Sequence, residues 1–283
     1  MRLRLRYAKL GKVRFTGHRD TARIWERALR TGGIPVVLSA GFTPRPRLSF
    51  GLALPTGAES VAEYLDADVD AQRFAADDLD GGALADRLSA ALPDGFTVLA
   101  AAVVEPGGSL QETVTSVTWE LTAPADTDVS AVAARLLDAA ALPLARVRKG
   151  HDRLDDVRPD IVALRSGADR RGDQLLRPPG FGCGAAETQA ATGATGDRSA
   201  RVHCANRSTL VADVATTGRG LRPAELAALA FPDAEALGIR ARRTHQWIDH
   251  DGRRREVMTL DDAVRLASLG ADQVVVPAGS AGA

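Results

Sequence analysis

Alternation opens the chain. In residues 1–9, MRLRLRYAK, Leu3 and Leu5 fall on one face and Arg2, Arg4 and Arg6 on the other, which predicts a half-exposed strand. A Gly11 turn leads to a short apolar run at 13–15. A 3.6-residue period over 19–31 predicts a helix, which Gly32 and Gly33 end. Residues 34–39 and 48–54 read as strands, and 63–69 (EYLDADV) alternates again. A second helix over 71–91 closes at Pro93-Asp94-Gly95, and the apolar run 96–104 reads as a buried strand. The order strand, helix, strands, helix, strand predicts a ferredoxin-like α+β unit with an antiparallel sheet and its helices packed on one face.

Pro106-Gly107-Gly108 punctuates the chain and marks off a first domain at 1–105. The same rhythm then restarts, with a strand at 114–121, a helix at 129–140 and strands at 146–149, 156–165 and 201–215. A helix follows at 223–230, with Pro223 in its first turn and Glu225 close behind. A hairpin over 245–260 turns at Asp251-Gly252. The expected architecture is two tandem ferredoxin-like units, the second spanning 109–262. Residues 166–200 hold seven Gly and seven Ala, and their only large apolar side chains are Leu175, Leu176 and Phe181. Such a stretch buries too little surface to offset its ordering entropy and reads as a flexible insertion. Residues 269–283 read as a loose tail.

Composition narrows the function classes. Aromatics make up 4% of the chain, so the core must be built from Ala, Val and Leu. No run of 18 apolar residues occurs and the first residues are charged, which predicts a cytoplasmic protein without a membrane partner. Cys183 and Cys204 lie outside any CxxC spacing, and His151, His203, His245 and His250 show no metal-ligand spacing. There is no GxSxG, no phosphate loop and no GxGxxG after a strand. The expectation is no metal and no cofactor.

Charge changes the picture most. The formal net charge is zero, yet residues 1–50 carry twelve Lys/Arg against Asp20 and Glu26, and residues 51–110 carry eleven acids against Arg73 and Arg87. A clustered positive block attracts polyanions. On a helical wheel Arg19, Arg23, Arg27 and Arg30 fall within about 80° of one another, opposite Ile24, Trp25, Ala28 and Leu29. In GFTPRPRLSFG, Pro44 and Pro46 stiffen a loop in which Phe42 and Phe50 bracket Arg45 and Arg47. Guanidiniums grip phosphate, and Phe42 is placed to stack a base. Phe50, inside a strand, reads as core. Neutralisation of the stripe by the acids of residues 59–80 would remove the phosphate reading. His18 and Asp20 at the start of the helix, with Glu59 or Glu63, form an alternative acid/base set. The bland reading of Asp20 is a helix cap, and that of the glutamates is arginine partners.

These motifs together resemble a known family. Lys9-x-Gly11-x-x-Arg14-Phe15 is followed by His18-x-Asp20, WERALR, Ile34-Pro35, Ser39-x-Gly41-Phe42-x-Pro44-x-Pro46 and Gly57-x-Glu59-Ser60-x-x-Glu63-Tyr64. The string is similar to the radical SAM-linked protein family, the bacterial domain of unknown function 2344, and continues through KGHDRLDDVRPDI and GLRPAE. The family's Ser-His-Leu-Asp string is altered here, with Gly17 and Arg19 in place of Ser and Leu. The resemblance implies a companion fused to, or encoded beside, a radical SAM enzyme near genes of RNA processing, without an established activity. The chain lacks the CxxxCxxC motif of a radical SAM enzyme, so it is expected as a stand-alone partner of one. Three readings stay open: an RNA-binding accessory protein, an enzyme using His18 and Asp20, and a protein–protein adaptor.

Overall fold

A computed structural model describes residues 1–74, 81–105, 107–124, 127–148, 150–167, 209–234 and 238–258. The first half runs β1 (Arg2–Lys9), a 3-10 turn (Gly11–Phe15), α1 (His18–Thr31), β2 (Leu48–Phe50), β3 (Glu59–Asp68), α2 (Gly81–Ala91) and β4 (Phe96–Val104). The second runs α3 (Leu110–Thr113), β5 (Val114–Thr122), α4 (Val129–Asp138), β6 (Pro143–Arg148) and β7 (His151–Asp156). It continues through β8 (Ile161–Ser166), β9 (Thr209–Ala215), α5 (Pro223–Ala230), β10 (Arg240–His250) and β11 (Arg253–Glu256). The fold is mixed α/β with one large, mostly antiparallel sheet and five helices among the described residues.

The strand order is β4-β1-β3-β10-β5-β9-β8, with β2 also on β3 and β11 on β10. A single sheet therefore crosses both halves, joined by a short parallel pairing of Arg242 and Arg243 with Glu59 and Ser60. β6 and β7 form a separate two-stranded ribbon. The turn of the β10–β11 hairpin falls at Asp251-Gly252 as the sequence predicts. Both residues have positive φ, 53° and 70°, which a two-residue turn of this hand requires.

Two apolar cores follow from this layout. α1 packs Trp25, Ala28 and Leu29 inward, and with α2 covers Leu3, Leu5, Leu65 and Ala67. The second core lies with α4 and α5 and extends to Ala62 and Tyr64 of β3. Adjacent residues of β3 thus serve different cores, and the strand is buried on both faces. Its neighbour β1 is also interior. The half-exposed strand expected there is corrected: Arg6 is 1% exposed, because the arginine face meets acidic partners rather than water.

Other boundaries shift for physical reasons. Residues 34–39 make only isolated bridges, Val36 to Val69 and Leu38 to Pro46, rather than a strand. β2 stops at Phe50, before the turn that Pro55 and Gly57 make. α2 is described over Gly81–Ala91; residues 71–74 form a turn instead of its first coil, and residues 75–80 lie outside the described residues. The strand expected over 156–165 is broken by a 3-10 turn at Arg158–Asp160, where Pro159 sits. α3 carried no periodicity from which to read it. The 168–200 part of the expected insertion, the 201–208 part of the strand expected at 201–215, the 269–283 tail, Cys183, Cys204 and His203 lie outside the described residues.

Candidate functional site

The charge blocks of the sequence resolve into two populations. Arg2 and Arg4 of β1 pair with Asp68 and Asp66 of β3 at 3.0 and 2.8 Å, and Arg6 pairs with Glu256 at 3.0 Å. Arg47 joins Asp68 at 3.4 Å. The acids of β3 thus neutralise β1 and the C-terminal end of the proline loop. Among the described residues they make no ion pair with α1. The arginine stripe of α1 stays solvent-exposed at Arg19, Arg23, Arg27 and Arg30, and its one ion pair among the described residues is internal, Arg23 to Asp20 at 3.4 Å; Asp77, Asp78 and Asp80 of the acidic block lie outside the described residues.

A groove runs between this helix and the arm formed by residues 33–46. Its volume is about 1220 Å³, and among the described residues Arg19, Arg23, Arg30, Arg45 and Arg73 line it with His18 and a single carboxylate, Glu26. Leu29, Ile34, Val36, Leu38, Pro44 and Pro46 contribute an apolar lining. The arm is closed by paired bonds, Ser39 N–H to the Arg45 carbonyl (2.8 Å) and Arg45 N–H to Ser39 Oγ (3.1 Å). That closure places Arg45 opposite the helix. Arg27, Arg47 and Phe42 do not line the groove. Phe42 stands fully exposed at the tip of the arm, whereas Phe50 packs on the core and meets His18 edge-on at 5.2 Å.

The four acid/base candidates separate. Asp20 lies in the first turn of α1 but does not cap it, since Gly17 occupies the cap position. Glu59 is buried among the Gly11 N–H (3.0 Å), Arg240 (2.6 Å) and Arg242 (3.2 Å), with Arg14 at 3.8 Å. Burial alone raises a carboxyl; here the Gly11 hydrogen bond and the Arg240 and Arg242 guanidiniums outweigh it and hold Glu59 below the usual carboxylate range. Glu63 takes Arg243 Nε and Nη2 at 3.1 and 2.5 Å. The glutamates are thus arginine partners, the bland reading, with partners on β10. His18 and Glu63 line one small chamber, and Asp20 and Glu59 lie outside its lining.

The motif string gains a structural meaning from this geometry. Lys9 Nζ donates to the Thr16 carbonyl at 2.6 Å, Gly57 N–H donates to the Arg14 carbonyl at 2.9 Å, and Phe15 lies 3.7 Å from where a Gly57 Cβ would sit. The K-x-G-x-x-R-F and G-x-E-S-x-x-E-Y segments therefore meet around Glu59. A family model described as an uncharacterized protein conserved in bacteria, domain of unknown function 2344, matches residues 2–190. The chain belongs to this family. In the DUF2344 chain described here the match covers α1, the groove, Glu59 and Glu63, and ends before β9 and β10. No curated protein matches it.

Sequence reasoning missed Arg73 and Glu26 in the groove, although Arg73 stood out as one of two bases in an acidic block. It also missed the run RARR at 240–243, which reads as surface charge until β10 is placed beside β3. No group of three or more His, Cys, Asp or Glu able to hold a metal ion occurs among the described residues. Nor is any described helix long and apolar enough to cross a membrane.

Proposed function

We propose that this DUF2344 protein binds RNA, a tRNA or rRNA, in the groove between α1 and the 33–46 arm, as an accessory protein of a radical SAM enzyme in the cytoplasm. One observation carries the reading: among the described residues five arginines and one carboxylate line a single groove, while Asp66 and Asp68 are taken up by Arg2, Arg4 and Arg47. Arginine forks suit phosphate, and an apolar lining suits the sugar and base surfaces between phosphates. The resemblance to radical SAM-linked proteins supports the choice of partner. The tandem ferredoxin-like description of the fold is supported by the two strand orders, β4-β1-β3-β2 and β10-β5-β9-β8, each built from a strand–helix–strand–strand–helix–strand run, into which the second half inserts the β6–β7 ribbon. The two-domain division at 106–108 rests on the same repeat.

The test is binding of total bacterial RNA by the purified protein at low and high salt. Salt-sensitive binding that the R23E/R30E double substitution removes is the expected result. Binding that survives the double substitution moves the RNA elsewhere on the protein. Phe42 lies outside the groove, so Phe42→Ala is expected to weaken affinity severalfold at most.

A further inference from the structure

Next to the groove, under the first turns of α1, lies a polar chamber of about 20 Å³. Tyr7, Lys9, His18, Thr21 and Glu63 contribute to its wall, together with residues 50–54. His18 belongs to both linings, so chamber and groove adjoin at this residue, whose ring meets Phe50 edge-on. The chamber has room for one water-sized group, which needs roughly 10–15 Å³.

The chemistry of the wall is specific. Thr21 is 5% exposed, and its Oγ1 has no hydrogen-bond partner among the described residues. A buried hydroxyl left unpaired is destabilising, and the adjoining chamber has room for a group that would pair it. Lys9, 3% exposed, is an ammonium with three donors, one of which goes to the Thr16 carbonyl. Both Arg243 contacts to Glu63 fall on the same oxygen, Oε1. The chamber thus presents a donor in Lys9, an acceptor in Glu63 and, in Thr21, a group that does either.

We propose that the chamber receives one hydroxyl of the molecule lying in the groove, and that this is a ribose 2′-hydroxyl. The proposal rests on the groove binding nucleic acid. A 2′-hydroxyl is one heavy atom, donates and accepts, and is the group by which RNA differs from DNA at a given site. A phosphate is too large for the space and brings only acceptors to Glu63.

The experiment compares single-stranded RNA, DNA and 2′-O-methyl RNA of one sequence, with wild type and Thr21→Val. Valine keeps the shape of threonine and removes the unpartnered hydroxyl, so the variant should fold with an unchanged or higher thermal midpoint. Wild type is expected to bind RNA about tenfold more tightly than DNA, the value of one good hydrogen bond. The 2′-O-methyl strand needs no substitution in the protein and should bind like DNA, because the methyl does not fit. Thr21→Val should bind RNA like DNA with its DNA affinity unchanged. Equal binding of all three strands by wild type would overturn the chamber proposal and leave the groove standing. Failure of every strand to bind would overturn the groove reading, and the chamber with it.

Discussion

Glu63 shows how individual residues separate structural from chemical roles. It is buried against Arg243, itself 2% exposed and 5.6 Å from the Trp119 ring centre. Removing one partner of such a pair strands a charge in the interior, so Glu63→Ala should cost about 3–5 kcal/mol in denaturant unfolding. Glu59 makes a second prediction, through pH. Its folded carboxyl is held low by Gly11, Arg240 and Arg242 against the opposing effect of burial. Its contribution to stability is therefore full above the ordinary carboxylate value of about 4.3 and is lost as pH falls through the lower folded value. Thermal midpoints between pH 6 and pH 3 should fall less steeply in Glu59→Gln than in wild type. An equal slope would place the acid sensitivity in other groups, such as Asp213, which Arg254 and Thr118 also hold low against burial.

The helices show what periodicity conveys and what it hides. For α1 the wheel separated Trp25, Ala28 and Leu29 from four arginines, and those side chains divide between core and solvent in that way. Trp25→Ala should cost about 3–5 kcal/mol, because the indole is fully buried. Which arginines face a groove was not legible, since that depends on the 33–46 arm. This arm reads as a strand from Ile34, Val36 and Leu38, yet folds as a bridged loop. Arg27 shares the stripe but not the groove, so Arg27→Glu should weaken RNA binding far less than Arg23→Glu or Arg30→Glu. Strand β1 was misjudged for a related reason. An Arg/Leu alternation looks half-exposed until a neighbouring strand supplies Asp66 and Asp68 at matching positions. The turns were the most legible elements: at Gly95, with φ +94°, an added Cβ would stand 2.6 Å from the Leu10 carbonyl, so only glycine fits.

At the scale of the whole molecule, one sheet makes the two halves interdependent. Glu59 and Glu63 of β3 are answered by Arg240, Arg242 and Arg243 of β10, and Arg6 of β1 by Glu256 of β11. None of those partners is near in sequence, so the pairing was not legible from the charge blocks. A fragment of residues 1–105 should not unfold cooperatively on its own, and co-expression with residues 107–283 should restore the transition. Internal pairing also decides what remains for a ligand: among the described residues the α1 groove keeps an excess of arginine, while Arg2, Arg4, Arg6 and Arg47 are matched by acids. The most direct test of that claim is the salt dependence of single-stranded RNA affinity for wild type and R23E/R30E. Four to five groove arginines on phosphates predict a slope of log affinity against log salt of about −3 in wild type. The double variant should show no measurable binding at any of those salt concentrations. A slope near zero, or the same slope and affinity in both proteins, would contradict the account.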